Sequence, residues 1–274
     1  MSLVLPALLT GKAGAVLACF AILFAAERWW PADQRAGQSH LKPAGGVNRL
    51  GRNLALWLGN VILSLLVVVP LTSVAATLAP NWRPDWWQGA PGLAIDLVLL
   101  DLLIYWWHRW NHEIPFLWRF HEVHHLDRTL DTTTALRFHF GEVTLSALAR
   151  AAVVVVLAFP IASVLAFEAS ILLAALFHHS NLRLPTAFEQ ALARLIITPS
   201  LHWVHHHARR VDTDSNYGTV LSSWDRLFAT RSATPRRPGM PIGVEDQVER
   251  PLLELLVRPF RLGSRTPAAP LQTR

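Results

Sequence analysis

Cysteine is all but missing: Cys19 is the single one in 274 residues, and it lies inside an apolar run. That excludes an intrachain disulfide and any thiolate-built zinc or iron–sulfur site. A metal, if there is one, must be held by histidine, with Asp, Glu or water in support. Charge is scarce as well, at 16% of residues, while 52% are apolar. The apolar residues clump into long runs, which speaks against a soluble enzyme and for a membrane protein. The small-residue cleavage pattern of a signal peptide is missing after the first run. Glu27-Arg28-Trp29-Trp30 stands there instead, so no cleavable signal is expected. Nothing resembles a haem or flavin domain. The net charge of +6 comes mainly from scattered arginines. It reads as loops facing anionic headgroups, with no nucleic-acid surface and no nucleic-acid partner.

What is present begins with the runs. Val4–Ala26 is long enough to span, and Arg28, Trp29 and Trp30 form an interfacial anchor behind it. Leu54–Ala79 is the second span, with a kink expected at Pro70. The loop before it carries Arg28, Arg35, Lys42, Arg49 and Arg52, and the loop after it only Arg83. The positive-inside rule therefore puts 28–52 in the cytoplasm and 80–91 outside. Gly92–Trp107 is the third span, only about 24 Å of helix, and is expected to continue past the headgroups. Glu142–Phe177 reads as two short spans, 143–159 and 161–177, turning near Pro160, since a single span would put its two ends on opposite faces. Arg150 and Glu168 then lie at similar depth and are expected to pair, because a lone charge there is costly. Thr186–Ile197 reads as an amphipathic surface helix, and Val248–Phe260 as a segment lying on the membrane. Beyond Gly263 disorder is expected. The fold class is all-α: a polytopic membrane helix bundle of about four to five spans under a cytosolic, histidine-rich helical cap. Three regions follow: 1–91 with the first spans, 92–230 with the histidines, and a tail at 231–274.

Twelve of the thirteen histidines fall between 108 and 207. His108 and His112 form HxxxH. His121, His124 and His125 form HxxHH, and so do His202, His205 and His206 in LHWVHHH. Spacings of three and four put side chains on one helix face about a turn apart. Each box can thus aim two or three imidazoles at one point, and imidazole is the commonest metal ligand among side chains. Pro115 and Thr198-Pro199-Ser200 are helix-start signals ahead of the two HxxHH boxes. Asp101, Tyr105, His108 and His112 share a face, which makes Asp101 a candidate to orient a ligand imidazole. Satisfied or solvent-facing histidines would not account for the repeated spacing.

The pieces HRWNH (108–112), HEVHH (121–125), RFHFGE (137–142), HHSN (178–181), TPSLHWVHH (198–206), NYG (216–218) and WDRLFAT (224–230) stand in a fixed order. Over about 101–245 the chain resembles the fatty acid hydroxylase/sterol desaturase superfamily of integral-membrane non-haem iron oxygenases. It departs from the pattern at Phe140, where proline is usual, at Ala229, where glycine is usual, and at His207, which lengthens the last box. No main-box histidine is lost. The resemblance implies two iron ions (zinc as an occupant on purification), dioxygen, and oxidation of a C–H bond in a lipid-like substrate drawn from the bilayer. It also implies electrons from a separate reductase. Two ions with open positions need roughly eight to ten protein ligands. His108, His112, His121, His124, His125, His179, His202, His205 and His206 make nine, with His139 and His178 in reserve. Asn216 and Asp225 are candidate supporting residues. Trp106, Trp107, Trp110 and Trp118 read as interfacial anchors. The boxes are expected on the cytoplasmic side, and the composition points to a bacterial inner membrane.

Hydroxylation and desaturation both remain open, as do sterol, acyl chain, carotenoid and alkyl ether lipid as substrate. Two rival readings stand. His121-Glu122-Val123-His124-His125 literally contains HExxH, the zinc-peptidase motif with Glu as general base. The sister box has Trp203 where Glu122 stands, which makes the glutamate look incidental. The other rival is a non-enzymatic histidine-rich metal-binding or transport protein.

Overall fold

The structure, a computed structural model, describes residues 4–34 and 46–261, with side chains in the first helix from Thr10 onward. His40, most of the first basic loop and the tail beyond 261 lie outside the described residues. Five helices among those described are long and apolar enough to cross a membrane. They are α1 (Val4–Trp29), α2 (Gly46–Leu78), α3 (Gly89–Glu113), α5 (Phe140–Leu157) and α6 (Ile161–His179). Between α3 and α5 comes the box helix α4 (Pro115–His125), and after α6 come α7 (Thr186–Leu192), α8 (Pro199–His205) and α9 (Leu252–Val257). The fold is all-α, an integral membrane bundle with a helical cap, and no strand occurs among the described residues.

Local chemistry explains the breaks. Pro70 has no N–H and its ring crowds a carbonyl one turn back. α2 absorbs this through a π turn at Ser64–Val68, where the Val69 N–H reaches the Ser64 carbonyl. α5 stops at Ala158, whose φ of 51° is left-handed, and Pro160 then starts α6. The expected hairpin is therefore present. Arg150 and Glu168 approach to 3.3 Å across it, and Lys12 of α1 joins the same glutamate. The apolar core of the bundle is Ala75, Leu100, Ala151, Val154, Phe159, Val164 and Phe167, where α2, α3, α5 and α6 meet.

At one end of the bundle polar groups replace this core. The loop 127–136 looks solvated in sequence, yet Asp127, Asp131, Thr132, Thr133 and Thr134 are buried. Arg49 of α2 gathers it, donating to Asp127 (2.6 and 2.7 Å), both Asp131 oxygens (3.0 Å), the Thr129 carbonyl (2.6 Å) and the Thr134 hydroxyl (2.8 Å). Glu27 of α1 accepts from the Thr132 N–H and hydroxyl and from the Asn181 N–H. The C-terminal ends of α1, α3 and α6 and the N-terminal ends of α2 and α5 thus share one face, and the cap sits there.

Val248–Phe260 is packed onto the cap along one side, with Val248, Leu253 and Phe260 left exposed. Leu255 is fully buried and Leu252 and Leu256 pack with it against Leu56, Val123 and Leu126. Arg258 makes two bonds to Glu122 (2.9 and 3.1 Å), and Glu249 accepts from Arg137. The segment is a strap across the outer face of α4. Its charges find partners in the protein.

Burial alone would lift the Asp127 carboxyl, but Arg49 and Arg137 outweigh it and hold the group down at about 2. Its ion pair is therefore complete above the ordinary carboxylate range and is lost only as pH falls through about 2. Arg49→Met would leave two buried carboxylates without their cation. A loss of about 3–5 kcal/mol is expected, read as a lower unfolding midpoint in detergent; a midpoint like that of the parent would refute the clasp.

Candidate metal centre

Nine imidazoles from four helices and the residue after α8 converge at the cap end. They form two groups: His108, His112, His121, His125 and His205 in one, and His124, His179, His202 and His206 in the other. Within each, the candidate ligand atoms lie within 4.8 Å of one another. The division follows from helix geometry. In α4, His121 and His125 are four apart and face the first group, and His124, a hundred degrees round, reaches the second. In the second box His202 and His206 face the second group and His205 reaches the first. The two boxes are used in reciprocal fashion, so each His-His dyad is split between the groups. Thr198 does not cap α8 with its side chain. Glu189 of α7 does so instead, accepting from the Ser200 N–H at 2.9 Å.

The hydrogen bonds set the tautomers. His108 Nδ1 faces the Tyr217 carbonyl (2.8 Å), His124 Nδ1 the Arg137 carbonyl (3.1 Å), His179 Nδ1 the Ala175 carbonyl (2.7 Å) and His205 Nδ1 the Ser215 carbonyl (2.7 Å). His121 Nδ1 faces Glu142 Oε1 at 2.9 Å. A carbonyl or carboxylate oxygen only accepts, so each Nδ1 carries the proton and each Nε2 presents a lone pair inward. His124 Nε2 and His179 Nε2 are 3.0 Å apart, lone pair against lone pair with no proton between them. His202 Nε2 stands 2.9 Å from His179 Nε2 and 3.1 Å from His206 Nε2. For metal–nitrogen bonds of about 2.1 Å, adjacent octahedral ligands are about 3.0 Å apart. In the first group, His121 Nε2, His205 Nε2 and both nitrogens of His112 and His125 are buried without a hydrogen-bond partner. Orphaned buried nitrogens cost about 1–3 kcal/mol each, and a cation at the centre of each group would relieve this. The donor set fits metal binding at both groups.

Electrostatics agree. Burial first, and then the neighbouring imidazoles, push His124, His125, His202, His205 and His206 well below the usual histidine range. They are neutral at physiological pH, as ligation requires. Aromatic rings close the walls: Phe138 stacks on His124 (4.4 Å between centroids) and Trp118 lies against His112 (5.1 Å) and His125 (5.5 Å).

Two further candidate ligands fall outside both groups. His139 uses both nitrogens elsewhere: Nδ1 accepts from the Gly141 N–H to cap α5, and Nε2 faces the Leu256 carbonyl. His178 is buried with its ring against His202, 3.9 Å between centroids. His207 turns away to Asp212, at 2.8 Å. Asp101 orients no imidazole by contact. It accepts from the Val220 and Leu221 N–H groups and from Trp224 Nε1. Glu122 points to Arg258, on the side of α4 away from the histidines, so it is placed as an anchor for the strap and not as a general base. Glu142 behind His121 was not singled out in the sequence; the signal was a glutamate in the first turn of the helix that His139 caps. Ala229 has φ 55°, a left-handed conformation that suits the glycine usual there.

The fatty acid hydroxylase family profile matches residues 93–230. An ornithine lipid hydroxylase of Rhizobium tropici is 28% identical over 90% of this chain and 72% of its own length. An alkylglycerol monooxygenase of Danio rerio is 31% identical over 53% of this chain, which is 31% of that protein. A cholesterol 25-hydroxylase-like protein of Danio rerio is 28% identical over 54% of this chain and 62% of its own. No solved structure matches. The profile runs from near the start of α3 to Thr230 and takes in all nine clustered histidines, and the chain belongs to the fatty acid hydroxylase family.

Proposed function

We propose that the protein is a di-iron membrane oxygenase that hydroxylates a C–H bond of a membrane lipid, with dioxygen as oxidant and electrons from a separate reductase. The observation that carries this is the pair of all-imidazole groups side by side, with no thiolate and no carboxylate in either. Neutral imidazoles suit iron, zinc, copper and nickel, so the redox assignment rests on the family. The relatives bearing the names hydroxylase and monooxygenase favour hydroxylation over desaturation.

His108, His112, His121, His125 and His205 would hold one ion, and His124, His179, His202 and His206 the other. His139 and His178 would bind neither. Iron, when bound, supplies dioxygen activation and the oxidising power for C–H cleavage. The protein's own part is different. The Nδ1 bonds to backbone carbonyls and Glu142 fix the ring planes. Trp118, Phe138 and Tyr217 exclude water beside the imidazoles. The ends of α3 and α6 set the centre at the membrane boundary, where a lipid substrate could reach it from the bilayer. The basic residues around α2's start support a cytoplasmic cap.

Comparative lipidomics of membranes with and without the active protein is expected to find a lipid heavier by one oxygen. The same product from His124→Ala or His205→Ala membranes would overturn the reading. Metal analysis of the purified chain is expected to give two ions, falling to about one in His202→Ala or His112→Ala, and chelation is expected to lower the unfolding midpoint. Glu122→Gln should keep both ions and most product, whereas a zinc peptidase would lose its base.

A further inference from the structure

Between the last box and the end of the family segment, Ser215–Leu221 runs past the histidines with its peptide groups used on both sides. In the first, the Ser215 carbonyl accepts from His205 Nδ1 (2.7 Å) and the Asn216 N–H donates to the Thr230 carbonyl (2.9 Å). In the second, the Tyr217 carbonyl accepts from His108 Nδ1 (2.8 Å) and the Gly218 N–H donates to Asp225 Oδ2 (2.9 Å). Beyond them, the Val220 N–H donates to Asp101 Oδ1 (3.3 Å).

We propose that Asp225 is a positioning residue for His108, acting through the single peptide group that joins Tyr217 to Gly218. Its carboxylate takes the N–H and the imidazole takes the carbonyl oxygen of the same amide plane. This inference rests on the metal-binding reading of the five-histidine group and says how one of its ligands is tuned.

Three observations support it. Asp225 is buried, and its contacts are all donors: the Tyr217 N–H (2.8 Å), the Gly218 N–H and the Thr230 hydroxyl (2.7 Å). An ionised carboxylate suits that set, since it brings no donor of its own. The approach is also built for closeness. A Cβ at Gly218 would lie 2.8 Å from Asp225 Oδ2 and 2.7 Å from Ile197 Cδ1, so only glycine lets the carboxylate reach the amide. Lastly, a direct form of the same device stands alongside, since Glu142 contacts His121 of the same group at 2.9 Å. Hydrogen bonds in series polarise one another, and an anion behind an imidazole holds its tautomer and raises its basicity as a ligand. In the four-histidine group, His124 and His179 are backed by the Arg137 and Ala175 carbonyls, with no carboxylate contact to either ring. Asp225 should therefore bear on one ion and not the other.

The test uses the full chain purified in detergent, stripped and reloaded with Co2+ under competition from a chelator, with the visible Co2+ bands as readout. In Asp225→Asn one of the two ions should bind about tenfold or more weakly with its bands shifted, and the other should bind as in the parent. Asp96→Asn provides the comparison for plain destabilisation. Asp96 accepts from Trp87 Nε1, Arg83 and Ser163 at the far end of the bundle, so the midpoint should fall while both ions keep parental affinity. If Asp225→Asn does not fold, Gly218→Ala displaces the carboxylate with its charge intact and should give the same one-ion loss. Parental affinity for both ions in these variants, or equal weakening of both, overturns the proposal. A parent chain that takes up no Co2+ overturns the metal reading beneath it.

Discussion

Lone pairs that face one another without a proton between them are the constraint on which the rest of this fold turns. His124 and His179 each spend their ring N–H outward on a carbonyl and meet Nε2 to Nε2 at 3.0 Å. Neutral protein offers no group that could sit between them. Burial makes the alternative, protonation, still worse, because a cluster of imidazolium ions out of water repels itself. A bound cation would resolve the conflict, and the outward Nδ1 bonds of His108, His121, His124, His179 and His205 leave Nε2 free for one. The bilayer helices matter here because they supply rigid ends at one depth. α3 and α6 each carry their histidines in the last turns, where the helix emerges from the apolar core.

The polar shell around the centre is the second requirement. Nine histidines cannot converge unless the loops between them are pinned, and loops contain backbone groups that must be paired when buried. Arg49, Glu27 and Asp225 do this from three directions, each taking several backbone or hydroxyl partners. Arg49 comes from the start of α2 and Glu27 from the end of α1, both outside the family segment of 93–230. The first two spans are therefore part of the site's support, and the loop 127–136 is its floor.

Much of this could be read in the chain. Helix periodicity in HxxHH forces i and i+4 onto one face, so the boxes announced convergence. The apolar runs announced the spans, and Pro160 with the need to return His178 and His179 to the cap announced the hairpin. What could not be read was direction around a helix. Asp101 shares a face with His108 by spacing, yet its oxygens go to the 220–224 turn, because a carboxylate follows the nearest unpaired N–H and not the nearest histidine. The docking of Val248–Phe260 onto α4 was hidden for the related reason that Glu122, its partner, lies 136 positions from Arg258. His139 stood in reserve as a ligand because it belongs to the RFHFGE motif. Its nitrogens were claimed locally, by the cap of α5 and the Leu256 carbonyl.

The two HxxHH boxes argue most strongly against peptide hydrolysis. A peptidase helix needs its glutamate on the metal side, next to the bound water. In α4 the positions facing the two histidine groups are 121, 124 and 125, and position 122 falls on the outer side with Arg258. In the sister box the matching position, Trp203, is buried beneath Arg236, 3.8 Å from the guanidinium carbon to its ring centroid. One helix turns an anion to an arginine at that position and the other an aromatic ring to an arginine. In both, the residue after the first histidine fastens the helix to a C-terminal segment, on the side away from the histidine groups.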